Sequence, residues 1–248
     1  MKKTFFITVS LLLLFASAPR VKAQEWSTGV DIYSSYIWRG SKFGSGPALQ
    51  PYVELGAGGL AVGAWGSVNS STDEALEMDL YLGYSFDFGL SVTLTDYYFG
   101  GDWTAYSMNH YLEPSIGFET GGFSAMAAFM LLPEVAASDA IAGAPAMFDV
   151  ETGIFTPAVD AMDAISAVGF GEELDMYFEA GYSFENFEIT LGAGDGAYTD
   201  DGEFNLCNIT IGSSKELTIT DSFALPVSGS VTLNPSTGGF FIAVGISL

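Results

Sequence analysis

From Gln24 onward, apolar residues alternate with small or polar ones in stretches of about ten, the length and period of a strand that crosses a bilayer in a barrel wall. The pattern predicts strands over 26–38, 47–56, 59–68, 76–86, 89–98, 110–119, 122–131, 173–184, 186–195, 203–212, 216–232 and 239–248. Every second connection is tight: Gly56-Ala57-Gly58-Gly59, Asp87-Phe88-Gly89, Thr120-Gly121-Gly122, Glu185-Asn186 and Ser213-Ser214-Lys215. The others, 39–46, 69–75, 99–109, 132–172, 196–202 and 233–238, are longer. Short turns at one end and long loops at the other predict an all-β chain, a twelve-stranded antiparallel transmembrane β-barrel with short periplasmic turns and longer extracellular loops. The competing all-β fold, a secreted sandwich, would need a polar outer face on each strand.

Aromatic residues fall where interfacial girdles would need them. Tyr84, Phe86, Phe118, Tyr182 and Phe184 close strands at the short-turn end, and Trp38, Tyr98, Phe99, Trp103 and Tyr111 lie toward the long-loop end. The last strand, Gly239 to Leu248, alternates up to the final residue and resembles the assembly signal of outer-membrane barrels, although Leu248 stands where an aromatic residue is usual. The outer-membrane barrel assembly machinery is therefore an expected partner, beside the lipid bilayer itself.

Composition agrees with this picture. Hydrophobic residues make up 49% and charged residues 15% of the 248, against about 25% charged in ordinary soluble domains. Lys2 and Lys3, the apolar run Phe5 to Phe15 and Val21-Lys22-Ala23 read as a signal peptide over 1–23, leaving 24–248 as the barrel. Removing the peptide takes four of the seven bases, so Arg39, Lys42 and Lys215 face 30 acids, a formal charge of −27. Nucleic-acid binding, which needs a basic footprint, is excluded. The single cysteine, Cys207, forms no internal disulfide.

Strand parity assigns the faces. With Met78, Leu80, Leu82 and Tyr84 toward lipid, Glu77, Asp79 and Tyr81 face the lumen; the same logic turns Glu173, Asp175, Tyr177 and Glu179 inward. Asp31, Tyr33 and Arg39 follow on the first strand, Gln50, Tyr52 and Glu54 on the second, Glu113 on the sixth and Glu188 on the ninth. A carboxylate on the lipid face would be costly, which supports this register. The candidate pore lining is thus Asp31, Arg39, Glu54, Glu77, Asp79, Glu113, Glu173, Asp175, Glu179 and Glu188. Fixed negative charge in a narrow tube concentrates cations and repels anions, so one reading is a porin-like channel passing small solutes with cation preference. The other is a closed lumen filled by a polar network centred on Arg39, a structural or ligand-binding barrel acting through its outer loops.

Residues 132–172 carry seven acids and no base. Thr156-Pro157 is a plausible helix start and Val159, Met162, Ile165 and Val168 give an amphipathic face, a candidate lid or plug. Asp195 to Glu203 gathers four carboxylates on one outer hairpin, but Asp-Gly pairs are ordinary turn chemistry, and no metal or cofactor is expected. His110 is the lone histidine, with Asp102 and Ser107 its nearest catalytic candidates in sequence; no enzyme activity is expected from so incomplete a set.

Ser35-Tyr36-Ile37-Trp38-Arg39-Gly40-Ser41 resembles the Tyr-x-aromatic-Arg-Gly motif that opens the TorF-type porins, small Gram-negative outer-membrane proteins, and Gly63-Ala64-Trp65-Gly66-Ser67 resembles that family's next recurrent segment. Glu173 to Phe184 is similar to its later strand. The resemblance implies a porin-like barrel and an outer-membrane location, and by match carries over Arg39, Gly40 and Trp65. Ser35 departs from the family's usual Asp, and the loop at 132–172 is longer than usual.

Overall fold

The chain was analysed as a computed structural model, which describes residues 25–70, 76–101, 103, 109–133, 147–149, 154–156 and 170–248. The expected signal peptide and the expected helix beyond Thr156 lie outside the described residues. In chain order the strands are β1 (Glu25–Tyr33), β2 (Tyr36–Trp38), β3 (Ser41–Phe43), β4 (Ala48–Ala57), β5 (Leu60–Asn69), β6 (Glu77–Ser85), β7 (Leu90–Tyr98), β8 (His110–Thr120), β9 (Phe123–Pro133), β10 (Met147–Asp149), β11 (Ile154–Thr156), β12 (Phe170–Ser183), β13 (Glu188–Gly194), β14 (Asn205–Thr220), β15 (Phe223–Asn234) and β16 (Gly239–Ser247). Twelve of them close into an antiparallel barrel in the order β1-β4-β5-β6-β7-β8-β9-β12-β13-β14-β15-β16. β1 and β16 make the seam through Asp31↔Ser247, Ile32↔Ile246 and Tyr33↔Gly245, extended by reciprocal backbone bonds of 3.0 Å between Val30 and Leu248. Among the described residues, β10 and β11 form a separate two-stranded sheet, as do β2 and β3.

Alternation along each strand becomes two faces. Leu80, Leu82, Leu94, Ile116, Leu191, Ile211 and Ile242 are large, apolar and exposed on the outside, while Glu77, Asp79, Glu113, Asp175 and Tyr177 are buried within. An apolar belt encircling a closed sheet, far beyond the patch size tolerated on a water-soluble monomer, is a surface for hydrocarbon. At the short-turn end, Tyr84 packs edge-on against Phe86 at 4.9 Å and Tyr182 against Phe184 at 4.8 Å, where a girdle was expected.

Inward glycines give the lumen aromatics room. A Cβ on Gly63 would lie 2.3 Å from the ring and hydroxyl of Tyr81 on the next strand. The bare backbone lets that ring lie flat and donate to Glu54 at 2.9 Å.

Two expectations fail here. The first predicted strand, 26–38, stops at Tyr33, where pairing to Ala48 and Gly245 ends; Ser34 turns the chain, its N–H donating to Val244 O at 2.8 Å while its Oγ accepts from Val244 N at 3.0 Å. The polar run Ser213-Ser214-Lys215 is no turn: β14 continues through Ser213↔Gly229, Ser214↔Ser228 and Lys215↔Val227, and Leu217 and Ile219 extend its apolar outer face. Strand pairing overrode a local turn composition.

Leu94, placed opposite Leu82 and Pro114 in the middle of β7, tests the outward face. Leu94→Arg should cost about 2–4 kcal/mol of folding free energy in lipid vesicles, whereas Leu94→Ile should be nearly silent, both read by denaturant titration.

Candidate functional site

The β2–β3 hairpin leaves the barrel wall and folds across the lumen. Its tip is the two-residue turn Arg39-Gly40, with φ of 49° and 86°. Two successive positive φ values fit the turn that matches strand twist in tight hairpins. Gly40 cannot carry a side chain for a second reason: its Cβ would sit 1.9 Å from the Cys207 carbonyl oxygen on β14. Arg39 is the non-glycine residue with positive φ among the described residues, a strain of order 1 kcal/mol or more for a bulky side chain.

That strain aims the guanidinium at β8, five strands from β1 round the barrel in one direction and seven in the other. Arg39 Nη2 donates to Glu113 Oε1 at 2.8 Å, and Nη1 donates both to Glu113 Oε2 and to the Tyr198 hydroxyl at 2.8 Å. The fork geometry is one only arginine offers a carboxylate. The cation also lies over Trp38 at 4.4 Å and Tyr177 at 4.7 Å. Tyr198 comes from the short 3-10 helix Gly196–Tyr198 in the β13–β14 loop. Burial pushes its hydroxyl above the ordinary range, so it meets Arg39 neutral, as an acceptor. On the hairpin's other side Tyr36 donates to Glu77 at 3.2 Å and packs against Trp65 at 5.6 Å.

The remaining candidates fall into two groups. Near the hairpin, Glu77, Asp79, Glu113 and Asp175 are buried. Asp79 Oδ1 has no partner, while Asp175 Oδ2 accepts from the Ala197 N–H at 2.9 Å. Glu179 accepts from Tyr177 at 2.6 Å and from Asn208 at 3.4 Å. Toward the short-turn end, Asp31 and Glu188 line a cavity of about 550 Å³ that runs from the underside of the hairpin to the β12–β13 turn, surrounded by hydroxyls such as Thr210 and Ser230. Glu54 stands on β4 with Tyr81. The Glu173 side chain lies outside the described part, as does most of 132–172, so neither the expected lid nor its relation to the lumen is described. Arg39 is not on a barrel strand, as parity had it. Trp38, Phe99 and Tyr111 form no girdle either: Trp38 meets Tyr97 at 5.8 Å and Tyr198 at 5.7 Å inside the barrel, and Phe99 and Tyr111 pack with the lumen cluster around Tyr97 and Met130.

Sequence reading missed Tyr198 and Asn208, whose neighbours in space come from distant strands. His110 faces outward near the long-loop rim. Its Nδ1 lies 3.0 Å from Asp96 Oδ1, and its Nε2 lies 3.1 Å from the Trp103 carbonyl. Its partner is Asp96 on the adjacent strand; Asp102 and Ser107 lie outside the described residues. The acidic 195–203 segment uses Asp195 to accept from the Met176 N–H at 2.6 Å and Asp201 to accept from the Glu203 N–H at 3.1 Å.

Fold and site together define a closed twelve-stranded β-barrel whose lumen is crossed by an inward hairpin. A family model described as a bacterial protein of unknown function (Gcw_chp) matches residues 18–131, which include two of the three segments on which the porin-family resemblance was drawn, 35–41 and 63–67, but not 173–184. That description names no porin. No curated protein matches. Among solved structures, BamA from Haemophilus ducreyi lacking POTRA domains 1–3 is 12% identical, with a TM-score of 0.41, over 87% of this chain and 42% of that one. Pseudomonas aeruginosa OccK5 (OpdH) is 11% identical at 0.37, over 93% and 68%, and Escherichia coli outer membrane phospholipase A is 10% identical at 0.37, over 88% and 87%. This chain thus spans less than half the length of the BamA structure. At these identities nothing about activity passes from them to this chain.

Breaking one side of a buried ion pair is expected to cost about 3–5 kcal/mol. Arg39→Ala and Glu113→Ala should each show this in denaturant unfolding from micelles, and the double variant should lose clearly less than their sum. Arg39→Lys should not restore wild-type stability, because an ammonium cannot make the fork. Gly40→Ala should release the hairpin from β14 while leaving heat-modifiable gel mobility intact.

Proposed function

We propose that this protein is an outer-membrane channel for small solutes with a preference for cations, kept closed by the β2–β3 hairpin. The reading rests on one observation: among the described residues, side chains pack the lumen at the level of the hairpin and leave it open below. Beneath it lies a cavity of about 550 Å³ lined by Asp31, Glu188, Gln50 and serine and threonine hydroxyls, with no base in its wall. Twelve strands enclose more space than the eight that side chains can fill, and below the hairpin that space stays open. The plug itself is held by polar side-chain bonds and ring contacts, which can exchange for water when the hairpin moves. The apolar outer belt supports placement in a bilayer, and the barrel form supports the outer membrane, reached by an export signal over 1–23 and the barrel assembly machinery. The proposal assigns the protein no catalytic role and no cofactor.

The second reading, a permanently closed barrel that binds or supports through its outer loops, is favoured by the depth of the seal, since Arg39 is anchored to β8, β12 and the β13–β14 loop at once.

Planar-bilayer recording separates the two. Wild-type protein should show rare or small openings, and Arg39→Ala should open more often. The reversal potential of the variant in a salt gradient should shift further toward the cation value, because Arg39 is the lone base among the candidate lining residues. Silence from both proteins, each folded by heat-modifiable mobility, would establish the closed barrel instead.

A further inference from the structure

The cavity of about 550 Å³ beneath the hairpin owes its room to one sector of the wall, where inward positions carry short side chains. Across β13 to β16 one inward row reads Glu188, Gly212, Ser230 and Ala243, and the next pairs Ser214 with Ser228 and Ser228 with Gly245. On β1, Tyr33 stands opposite Gly245. A Cβ on Gly245 would lie 2.3 Å from the Tyr33 ring, so the bare glycine lets that ring lie along the wall. The ring's free face borders the cavity. Asp31, two residues along β1 on the same face, and Glu188 at the far side border the same space. We propose that this cavity binds a neutral saccharide, with one pyranose ring stacked on Tyr33.

Three properties of the wall select that chemistry. It holds no base, so a solute bearing phosphate or carboxylate groups meets only like charge. Serine and threonine hydroxyls are the largest group among its polar side chains, joined by the Gln50 and Asn186 amides. Each hydroxyl both donates and accepts. A saccharide hydroxyl does the same, whereas an apolar guest would leave the wall's polar groups unpaired and a bare cation would use only its acceptors. Among the described residues no three metal-ligating side chains stand together, so the wall is not built for a metal ion. The third property is the ring. A tyrosine face backed by glycine is flat and apolar, the complement of the C–H face of a pyranose. Beside it the Asp31 carboxylate is placed to accept from hydroxyls at the edge of that sugar ring. The volume lies within the roughly 300–1,000 Å³ of small-ligand sites, room for about two sugar rings between Tyr33 and Glu188.

The assignment rests on the channel reading for the sugar's route in, and deepens it by naming a solute that the acidic wall does not repel. Folded full-length protein in micelles would be titrated with glucose and with maltose by saturation-transfer NMR. Gluconate, an anion of similar size, and cyclohexanol, a ring with a single hydroxyl, would be titrated beside them. At least one sugar should bind about fivefold more tightly than cyclohexanol, and gluconate should not bind. Tyr33→Leu, which keeps bulk but loses the flat ring, and Ser228→Val, which keeps the volume but loses the hydroxyl, should each weaken sugar binding about fivefold. Heat-modifiable mobility reports whether each variant folds, and Asp31→Asn, with the same expected loss, takes the place of one that does not. Binding of neither sugar, cyclohexanol or gluconate binding as tightly as sugar, or full affinity in folded variants would overturn the assignment. Sugar binding to a protein that never conducts would sink the channel alone; conduction without sugar binding would sink only this site.

Discussion

The pairing of Arg39 with Glu113 governs how the interior of this barrel is arranged. A buried guanidinium is tolerated only where a carboxylate and further acceptors replace its water. Here the replacements come from β8, from the Tyr198 hydroxyl and from the faces of Trp38 and Tyr177. To bring the charge to that point the chain leaves the wall at Ser34, crosses the lumen and turns at Arg39-Gly40 with two left-handed residues. The 195–203 loop is drawn in from the other side, because Tyr198 is one of the acceptors. Without the ion pair the hairpin would keep the Tyr36–Glu77 bond and the loop its bonds to Asp175 and Met176, but the charge that joins the two across the lumen would be gone.

The rest of the interior follows from charge imbalance. Parity sends carboxylates inward because lipid excludes them, and the two bases that accompany them, Arg39 and Lys42, both stand on the β2–β3 hairpin. The structure divides the burden. Close to the hairpin, acids are buried and engaged by tyrosine hydroxyls, an asparagine or backbone N–H groups, with Asp79 Oδ1 left unmatched. Toward the short turns, Asp31 and Glu188 border open space. The lumen is thus aromatic and packed at the hairpin, open and hydroxyl-lined below it. The outer wall uses a separate device at its rim, where Asp96 sits beside His110 under Trp103 rather than facing hydrocarbon unpaired.

How much of this was legible in the sequence depended on the range of the interactions involved. Period-two alternation was legible because the lipid and the lumen impose it residue by residue, so strand identity and inward parity could be read at Glu77, Asp79, Glu113 and Asp175. Turn positions were legible where glycines or an Asp-Phe-Gly run set the backbone, and failed at Ser213-Ser214-Lys215, where pairing with Gly229, Ser228 and Val227 carried the strand on. The Arg-Gly motif stood out in the sequence, but its location did not. Read as the end of a strand, it is the tip of a hairpin.

The sequence by itself determined a twelve-stranded closed barrel, an apolar outside and an acidic inside, since these depend on the alternation of neighbouring residues against two solvents. Only the tertiary structure decided that the lumen is crossed by residues 36–43 and that Arg39 chooses Glu113 from several inward acids. The tertiary structure alone also decided that Trp38, Phe99 and Tyr111 pack inside the barrel instead of at a membrane interface. Those outcomes rest on contacts between residues far apart in the chain, such as Arg39 with Tyr198, 159 positions away, and they exist only once barrel closure has set which strands face each other across the lumen.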